Sequence, residues 1–335
     1  MQSITSIEWR ELLGASPYAN AFQTEEMYNF LSSLDCLCSF LSYVRNSEGK
    51  LVGLAVGYIQ AEKGIKKHFS RRAIIQGGLL LAKDIAEGEL KILLEDIKQK
   101  TSSAIYVEIR NNADYSEYKD IFQKYGFEYR PHLNCLIDCS DADQAFKNMN
   151  ESRRRQVRIA TEGKYEVKMA ETEAEVDEFY HLLANHYKTK VKKPIFPKEF
   201  FAEIVYQKVG EIMLIKINGK VVSGMLQLMH ERTVYDYYVF GLDTQYPNNY
   251  PSVLVYWETI KRASALGYTT FDTMGAGTPD VPYGVRDFKL RFGSQLVEHG
   301  RFLSINKPLL YKLGSLAIKL GVRNCCASES RTKLA

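Results

Sequence analysis

The 335-residue chain has no run of about 18 apolar residues, so no membrane-crossing helix is expected. Its first ten residues lack the basic start and apolar stretch of a secretory leader, and a cytoplasmic chain is the expectation. The six cysteines fall as Cys36-x-Cys38, Cys135-x-x-x-Cys139 and Cys325-Cys326. These spacings fit neither a zinc finger nor a zinc ribbon, and no histidine pair joins them, so no metal site is predicted and the thiols read as reduced. His181 and His186 stand five apart on a predicted helix and do not pair as ligands. No Ser-His-Asp or Cys-His set can be assembled, which points away from a covalent intermediate. Charge is nearly balanced, 44 basic against 40 acidic residues for a net +4, and this counts against a generic nucleic-acid binder.

What is present is a globular composition, 45% apolar and 25% charged, on a chain too long for one ordinary core. Two domains are predicted. The first half reads as helices over Ser6–Leu13 and Thr24–Leu34, strands over Cys38–Asn46, Leu51–Gln60 and Ala73–Leu81, a helix over Ile85–Lys100, a strand over Ala104–Ile109, a short helix over Tyr115–Tyr125 and a closing strand over Leu133–Asp138. The second half repeats the order. Tyr165–Ala170 is a strand, Glu173–Tyr187 and Lys198–Gln207 are helices, and Glu211–Ile217, Val221–Met229 and Thr233–Phe240 form a meander. Asn218-Gly219 is a type I′ hairpin signal within it. Val253–Leu266 is a helix, Thr269–Asp272 a strand and Gln295–Phe302 the last strand. The layout predicts an α+β chain with a boundary in the polar stretch Ser140–Ser152, itself a helix leading into the second domain. The domains are then 1–145 and 146–303, with a helical tail over 304–335.

Four segments carry a resemblance. They are Ala21-Phe-Gln-Thr24, the arginine-led Arg153-Arg-Arg-Gln-Val-Arg158, the run from Pro251 to Ala263 with Leu266-Gly-Tyr-Thr-Thr-Phe-Asp272, and Gly284-Val-Arg-Asp-Phe-Lys-Leu-Arg-Phe-Gly293. Together they resemble the FemABX-like transferases, built from two tandem GNAT-type domains. The resemblance implies two mixed, mostly antiparallel sheets flanked by helices, and acyl transfer to an amine. Its best-known members use aminoacyl-tRNA and a peptidoglycan precursor, while other relatives point to acyl-CoA and polysaccharide or lipid acceptors. Two departures stand out. No coiled-coil arm is inserted in the second domain. The glycine-containing loop with which acetyl-CoA enzymes of this fold hold a diphosphate is replaced by Gln245-Tyr-Pro-Asn-Asn-Tyr-Pro-Ser252, which has no glycine and two prolines without N–H.

Transfer to an amine requires a neutral nucleophile, a stabilised oxyanion and aligned partners. Lys289 in the Phe-Lys pair is the first catalytic candidate, with the alternative of a solvated charge in a turn. Asp272 is the second, as a base or acceptor-orienting group, with the alternative of capping the next turn. Phe288 is expected to wall the donor channel, with the alternative of core packing, and Arg291 is expected to bind substrate. Arg154 and Arg158 share a helix face with the spacing to grip a diphosphate, against the alternative of a solvated face. Tyr237 and Tyr238 on the third meander strand are expected acceptor contacts, and alternation puts them on opposite faces, Tyr238 with Asp236.

The basic loop Lys188, Lys190, Lys192 and Lys193 reads as a plain surface loop, with the alternative of a contact for an anionic precursor or tRNA. In the tail, Leu309, Leu313, Leu316, Ala317 and Leu320 form one stripe edged by Lys307, Lys312, Lys319 and Arg323, so 308–323 suits docking on its own domain or a peripheral contact at the inner face of the membrane. The function expected is N-acyl or aminoacyl transfer to a cell-envelope or polysaccharide precursor. No cofactor is bound permanently, and acyl-CoA or aminoacyl-tRNA enters as donor. The competing readings are a catalytically inactive tandem-GNAT binding module and a non-specific RNA binder.

Overall fold

The computed structural model describes residues 3–60 and 70–316. The chain forms two compact units, Met1–Arg130 with Arg301–Ala335, and Pro131–Gly300. In the first half, helices Ser6–Ala15 and Glu25–Ser32 precede strands β1 (Cys38–Arg45), β2 (Leu51–Gln60), β3 (Arg72–Gly77) and β4 (Leu80–Leu81). Helix Glu87–Lys100, β5 (Tyr106–Asn111), helix Lys119–Lys124 and β6 (Glu128–Arg130) follow. Then come β7 (Leu133–Asp138), helices Ala142–Asn148 and Glu151–Glu162, β8 (Glu166–Met169) and helices Glu173–His186 and Lys198–Tyr206. The meander β9 (Glu211–Ile217), β10 (Lys220–His230) and β11 (Thr233–Gly241) leads to helix Pro251–Ala265, β12 (Thr270–Gly275), helix Gly284–Leu290, β13 (Gln295–Glu298) and β14 (Arg301–Ile305).

Both sheets are mixed. The first runs β1-β2-β3-β5-β14-β6, with β4 beside β2 and the pair β3–β5 parallel. The second runs β13-β7-β12-β11-β10-β9-β8, with β11–β12 parallel. In the first unit, Leu90, Leu93, Leu94 and Ile97 recur at helical spacing and pack with Val107 and Ile109 of β5. In the second, Val253, Tyr256 and Ile260 pack with Met213, Ile215 and Met225 of the meander. The α+β class and the paired sheets with flanking helices are as the repeat pattern predicts.

The connectivity differs from the contiguous halves expected. β7, read as the closing strand of the first domain, lies between β13 and β12 in the second sheet. The segment read as one last strand, Gln295–Phe302, is two strands in two sheets, parted at Gly300 with φ 66°. The chain therefore passes from the first unit to the second after Arg130 and returns after Gly300, and no boundary falls in Ser140–Ser152. Core packing accounts for this: Ile137 and Cys139 are buried in the second core, whereas Phe302 stacks on Phe122 in the first at 3.9 Å. Three smaller differences have local causes. Ala73–Leu81 is broken by Gly77 and Gly78, both at positive φ. Ser140–Ser152 holds two helices, because the Asn150 side chain accepts from the Arg153 N–H at 2.8 Å and starts a new one. Gly284–Leu290 is a helix the pattern did not announce.

One side chain of the Phe-Gln segment acts as sheet backbone. β2 pairs with β4 at Gly53–Leu54 and with β3 from Tyr58, leaving Val56 between. The Gln23 amide fills that gap, accepting from the Val56 N–H at 2.8 Å and donating to the carbonyls of Val56 at 3.2 Å and Gln76 at 2.7 Å. Gln23 is fully buried, so removing it strands three backbone groups out of reach of water. Gln23→Leu is expected to lower stability by about 2–5 kcal/mol in denaturant titration; a loss below about 1 kcal/mol would show that the backbone finds other partners.

Candidate functional site

The second sheet opens at one place. β11 and β12 pair over Thr233↔Thr270, Val234↔Phe271 and Tyr235↔Asp272, and the pairing ends there although β11 runs on to Gly241 and β12 to Gly275. Each strand carries an irregularity just past that point. On β11, Leu226 faces Tyr238 while Gln227 faces Asp236, so Tyr237 is the extra residue of a β-bulge. On β12 the register against β7 shifts between Asp272 and Gly275, with Met274 at φ 62°. Two bends turn neighbouring parallel strands apart at their carboxyl ends, a common place for a ligand to enter.

Charged side chains gather at this fork. Lys289, 5% exposed, donates from Nζ to the carbonyls of Thr273 and, at 2.9 Å, Gly275, on β12 beyond its last pair with β11. Burial lowers its pKa, and Asp236, Cys135 and Asp272 oppose that shift. Asp236, the first residue of β11 beyond its pairing with β12, accepts a hydrogen bond from the Tyr256 hydroxyl. Burial pushes its carboxyl up to about 6, against the pull of Lys289 and Tyr256. Asp272 accepts from the Met274 N–H at 2.7 Å, the turn-capping role. Burial pushes it up to about 7; the Met274 N–H and Lys289 hold it back, Asp236 adds to the rise, and the Asn134 side chain lowers it. The two catalytic candidates, Lys289 and Asp272, are thus brought within electrostatic reach of each other. Asp236 and Tyr256 complete the set. The signal for Asp236 was a lone carboxylate inside Val-Tyr-Asp-Tyr-Tyr-Val; nothing in the sequence paired it with Tyr256.

Arg153 holds the element that carries Lys289. Only 2% exposed, it makes no ion pair among the described residues. Its guanidinium lies 4.3 Å from the ring centres of both Phe288 and Phe292, and it donates to the Phe288 carbonyl at 3.1 Å and Gln156 Oε1 at 3.0 Å. Burial, then the charge of Arg291, hold its pKa down at about 10. The Asn150 N–H donates to the Arg291 carbonyl at 3.1 Å. A Cβ on Gly293 would lie 2.5 Å from the Asn148 carbonyl oxygen.

Arg154 donates to the carbonyls of Lys147, at 3.0 Å, and Met149, capping the preceding helix. Arg158 is exposed and lies 5.4 Å from the Phe146 ring centre, and Arg291 is exposed. Phe288 meets Tyr256 edge-on at 5.2 Å. The bulge brings the Tyr237 and Tyr238 rings within 5.0 Å of each other. Tyr238 also packs on Phe201 at 5.2 Å and Tyr187 at 5.6 Å, and Tyr237 on Phe200 at 6.0 Å, so the two tyrosines join one half-exposed aromatic wall. Tyr187 opens a π-helical turn, Tyr187–Val191, that ends the helix before it. At the start of helix Pro251–Ala265, Asp243 accepts from the Ser252 N–H at 3.1 Å and from the Ser252 hydroxyl.

Residues 147–289 match the family model of the acetyltransferase (GNAT) domain. The whole chain is similar in fold to three solved structures. FemX is 15% identical, with a TM-score of 0.71 over 93% of this chain and 98% of FemX. L-PGS from Bacillus licheniformis is 15% identical, with a TM-score of 0.58 over 92% of this chain and 96% of that one. A tandem GNAT protein from the clavulanic acid biosynthesis pathway is 8% identical, with a TM-score of 0.56 over 90% of this chain and 95% of that one. No curated protein matches the sequence. At these identities the likeness is one of fold: a FemX-like, tandem GNAT architecture with the GNAT-type domain in the second half.

The buried carboxyls give stability a pH dependence. Because Asp272 is raised to about 7 and Asp236 to about 6, the native chain binds protons more tightly than the unfolded chain between about pH 4 and those values. Their contribution is complete below the unfolded pKa and is lost as pH rises through the folded one. Asp272→Asn is expected to reduce the fall in stability between pH 5 and 8 by roughly 1–3 kcal/mol, read from denaturant midpoints. An unchanged pH profile would place the Asp272 carboxyl back in the ordinary range.

Proposed function

We propose that the chain transfers an acyl or aminoacyl group to an amine on an anionic cell-envelope or polysaccharide precursor, as a FemABX-like enzyme. The observation that carries this reading is Lys289 fixed beside Asp236 and Asp272 where β11 and β12 part. The amine nitrogen bonds to the acyl carbon, and the bond from that carbon to its carrier breaks. Lys289 Nζ, steadied by the Thr273 and Gly275 carbonyls, presents positive charge to the oxyanion formed on the way. Asp236, with a pKa of about 6 and so mostly ionised at neutral pH, takes the proton the nitrogen sheds, while the Tyr256 hydroxyl holds the carboxylate in place. That proton then leaves with the departing carrier. Burial raises Asp272 to about 7, which opposes its ionisation and so its cancelling of the charge on Lys289.

Phe288 walls the donor side, Tyr237 and Tyr238 the acceptor side. Exposed Arg158 and Arg291 serve the anionic part of the precursor, with Arg154 shaping that surface from its place on the carbonyls. The FemABX-like motifs and the FemX-like fold leave acyl-CoA and aminoacyl-tRNA as the two donor classes, and tRNA is a partner in the second case. The buried lysine and carboxylates favour an enzyme over a silent binding module. In assays of amine acylation by mass spectrometry across both donor classes, Lys289→Met is expected to lower turnover by about 10²–10³-fold. Activity of the variant within two-fold of the native chain, or native ligand binding without turnover on any donor, would overturn the reading.

The tail supports a place at the inner face of the membrane. No helix among the described residues is long and apolar enough to cross a membrane. The helix over 308–316 turns Tyr311 inward, onto Tyr106 at 5.5 Å and Arg130 at 3.0 Å. Leu309, Leu313 and Leu316 on its other side are 79%, 60% and 55% exposed, beside Lys312. Residues 317–323, and Cys325-Cys326, lie outside the described residues. An apolar stripe edged by lysine fits an anionic lipid surface. The native chain is expected to co-sediment with phosphatidylglycerol vesicles, and Leu309→Ser with Leu313→Ser to weaken this about ten-fold or more. Absence of binding by the native chain would remove the membrane contact.

A further inference from the structure

An acyltransferase of the GNAT fold implies an acyl-CoA donor, and the diphosphate of CoA is held by free N–H groups at a helix N-terminus. The positive end of the helix and those donors together make the anion site. In the second unit the helix that follows the meander is Pro251–Ala265, and its N-terminal donors can be accounted for one by one. Pro251 has no N–H. The Ser252 N–H goes to Asp243 Oδ1 at 3.1 Å, and the Ser252 hydroxyl goes to Oδ2 of the same carboxylate. The Leu254 N–H already closes the first helical turn on the Tyr250 carbonyl at 2.9 Å. At most the N–H of Val253 is left, on a residue 3% exposed.

The backbone leaves no slack at this point. Tyr250, the N-cap, is left-handed at φ 47° and contributes no side-chain cap. A Cβ on Gly241 would lie 2.1 Å from Ser252 Oγ, so the end of β11 meets the start of the helix directly. The basic groups nearby lie within electrostatic reach of this carboxylate or bond to its neighbour. Arg153 and His186 both feel the charge of Asp243, and Lys190 donates to Thr244 Oγ1 at 3.2 Å. A negative charge from the chain itself therefore stands where a diphosphate would have to go, on donors the diphosphate would need. The residues present do not fit CoA.

We propose that Asp243 is a specificity residue that closes this helix terminus to diphosphates, so that the donor presented to Lys289 is not a CoA thioester anchored there. The inference rests on the acyl transfer proposed above for its donor, but the closure itself concerns binding and can be read without turnover.

The experiment compares CoA affinity, by calorimetry and thermal shift, for the native chain, Asp243→Asn and Asp243→Ala, with circular dichroism to establish that each is folded. Asp243→Asn removes the charge and keeps an acceptor for Ser252; Asp243→Ala frees the Ser252 N–H and hydroxyl. The native chain is expected to show no saturable CoA binding below about 1 mM, and Asp243→Ala to gain at least about ten-fold. Should Asp243→Ala not fold, a gain in Asp243→Asn reads the charge alone. Micromolar binding of CoA to the native chain, or no gain in a folded variant, would overturn the assignment. Loss of turnover on every donor sinks the acyl-transfer reading instead, and leaves the CoA comparison intact.

Discussion

Once Tyr235 and Asp272 have paired, β11 and β12 separate, and much of the candidate site can be understood as the consequence. Strand carbonyls that leave a ladder inside a protein need another donor, because an unsatisfied buried acceptor costs about 1–3 kcal/mol. Lys289 supplies that donor to Thr273 and Gly275. A buried ammonium in turn needs negative charge nearby, and Asp236 and Asp272 supply it from the two separating strands. The same burial raises both carboxyls toward neutral pH. A gap in a sheet thus becomes a cation with two proton-exchanging groups beside it, the combination on which the proposed acyl transfer rests.

Lys289 can hold that place only if its short helix is held, and Gly284–Leu290 is too short to fix itself. Arg153 fixes it from the start of Glu151–Glu162, with its guanidinium between two rings and on the carbonyl of the residue before Lys289. Burying an arginine without a carboxylate is costly, and the two aromatic faces with two acceptors offset that cost only in this geometry. Gly293 belongs to the same joint, since its φ of 76° and its approach to the Asn148 carbonyl leave no room for a side chain. The arginine-led segment and the Phe-Lys…Phe-Gly segment, with Arg153 and Phe288 135 residues apart in sequence, are therefore two halves of one contact.

Much of this was legible beforehand, and the limits have physical causes. Periodicity and caps located most helices and strands, because these follow from neighbours within a turn: Thr24 caps Glu25–Ser32, and Asn218-Gly219 turns the hairpin with both residues at positive φ. Sheet membership was not legible, since Leu133–Asp138 alternates in the same way whichever edge it joins, and only the burial of Ile137 and Phe302 decides. Lys289 and Asp272 were found through the motifs around them. Asp236 was seen as a strand residue, but alternation could not announce the bulge at Tyr237 that sets the two tyrosines side by side. Arg154 and Arg158 share the face that their spacing predicts, yet the helix break at Met149-Asn150 gives Arg154 carbonyls to cap, a feature visible only once the chain is folded.

The first unit shows why a repeated layout does not repeat the chemistry. Its parallel pair, β3 and β5, stays joined over six residues, from Arg72↔Tyr106 to Gly77↔Asn111, so no fork opens. The gap that does exist, beside Val56, is filled by the amide of Gln23. At the end of β3, a Cβ on Gly77 would strike Asn20 and one on Gly78 would strike Tyr115. Side chains from the unit itself occupy those positions, and a neutral amide filling a ladder gap requires no counter-charge, unlike a lysine. At a break in a sheet, an amide thus leaves the first unit neutral at Gln23, whereas an ammonium gathers charge at Lys289 in the second.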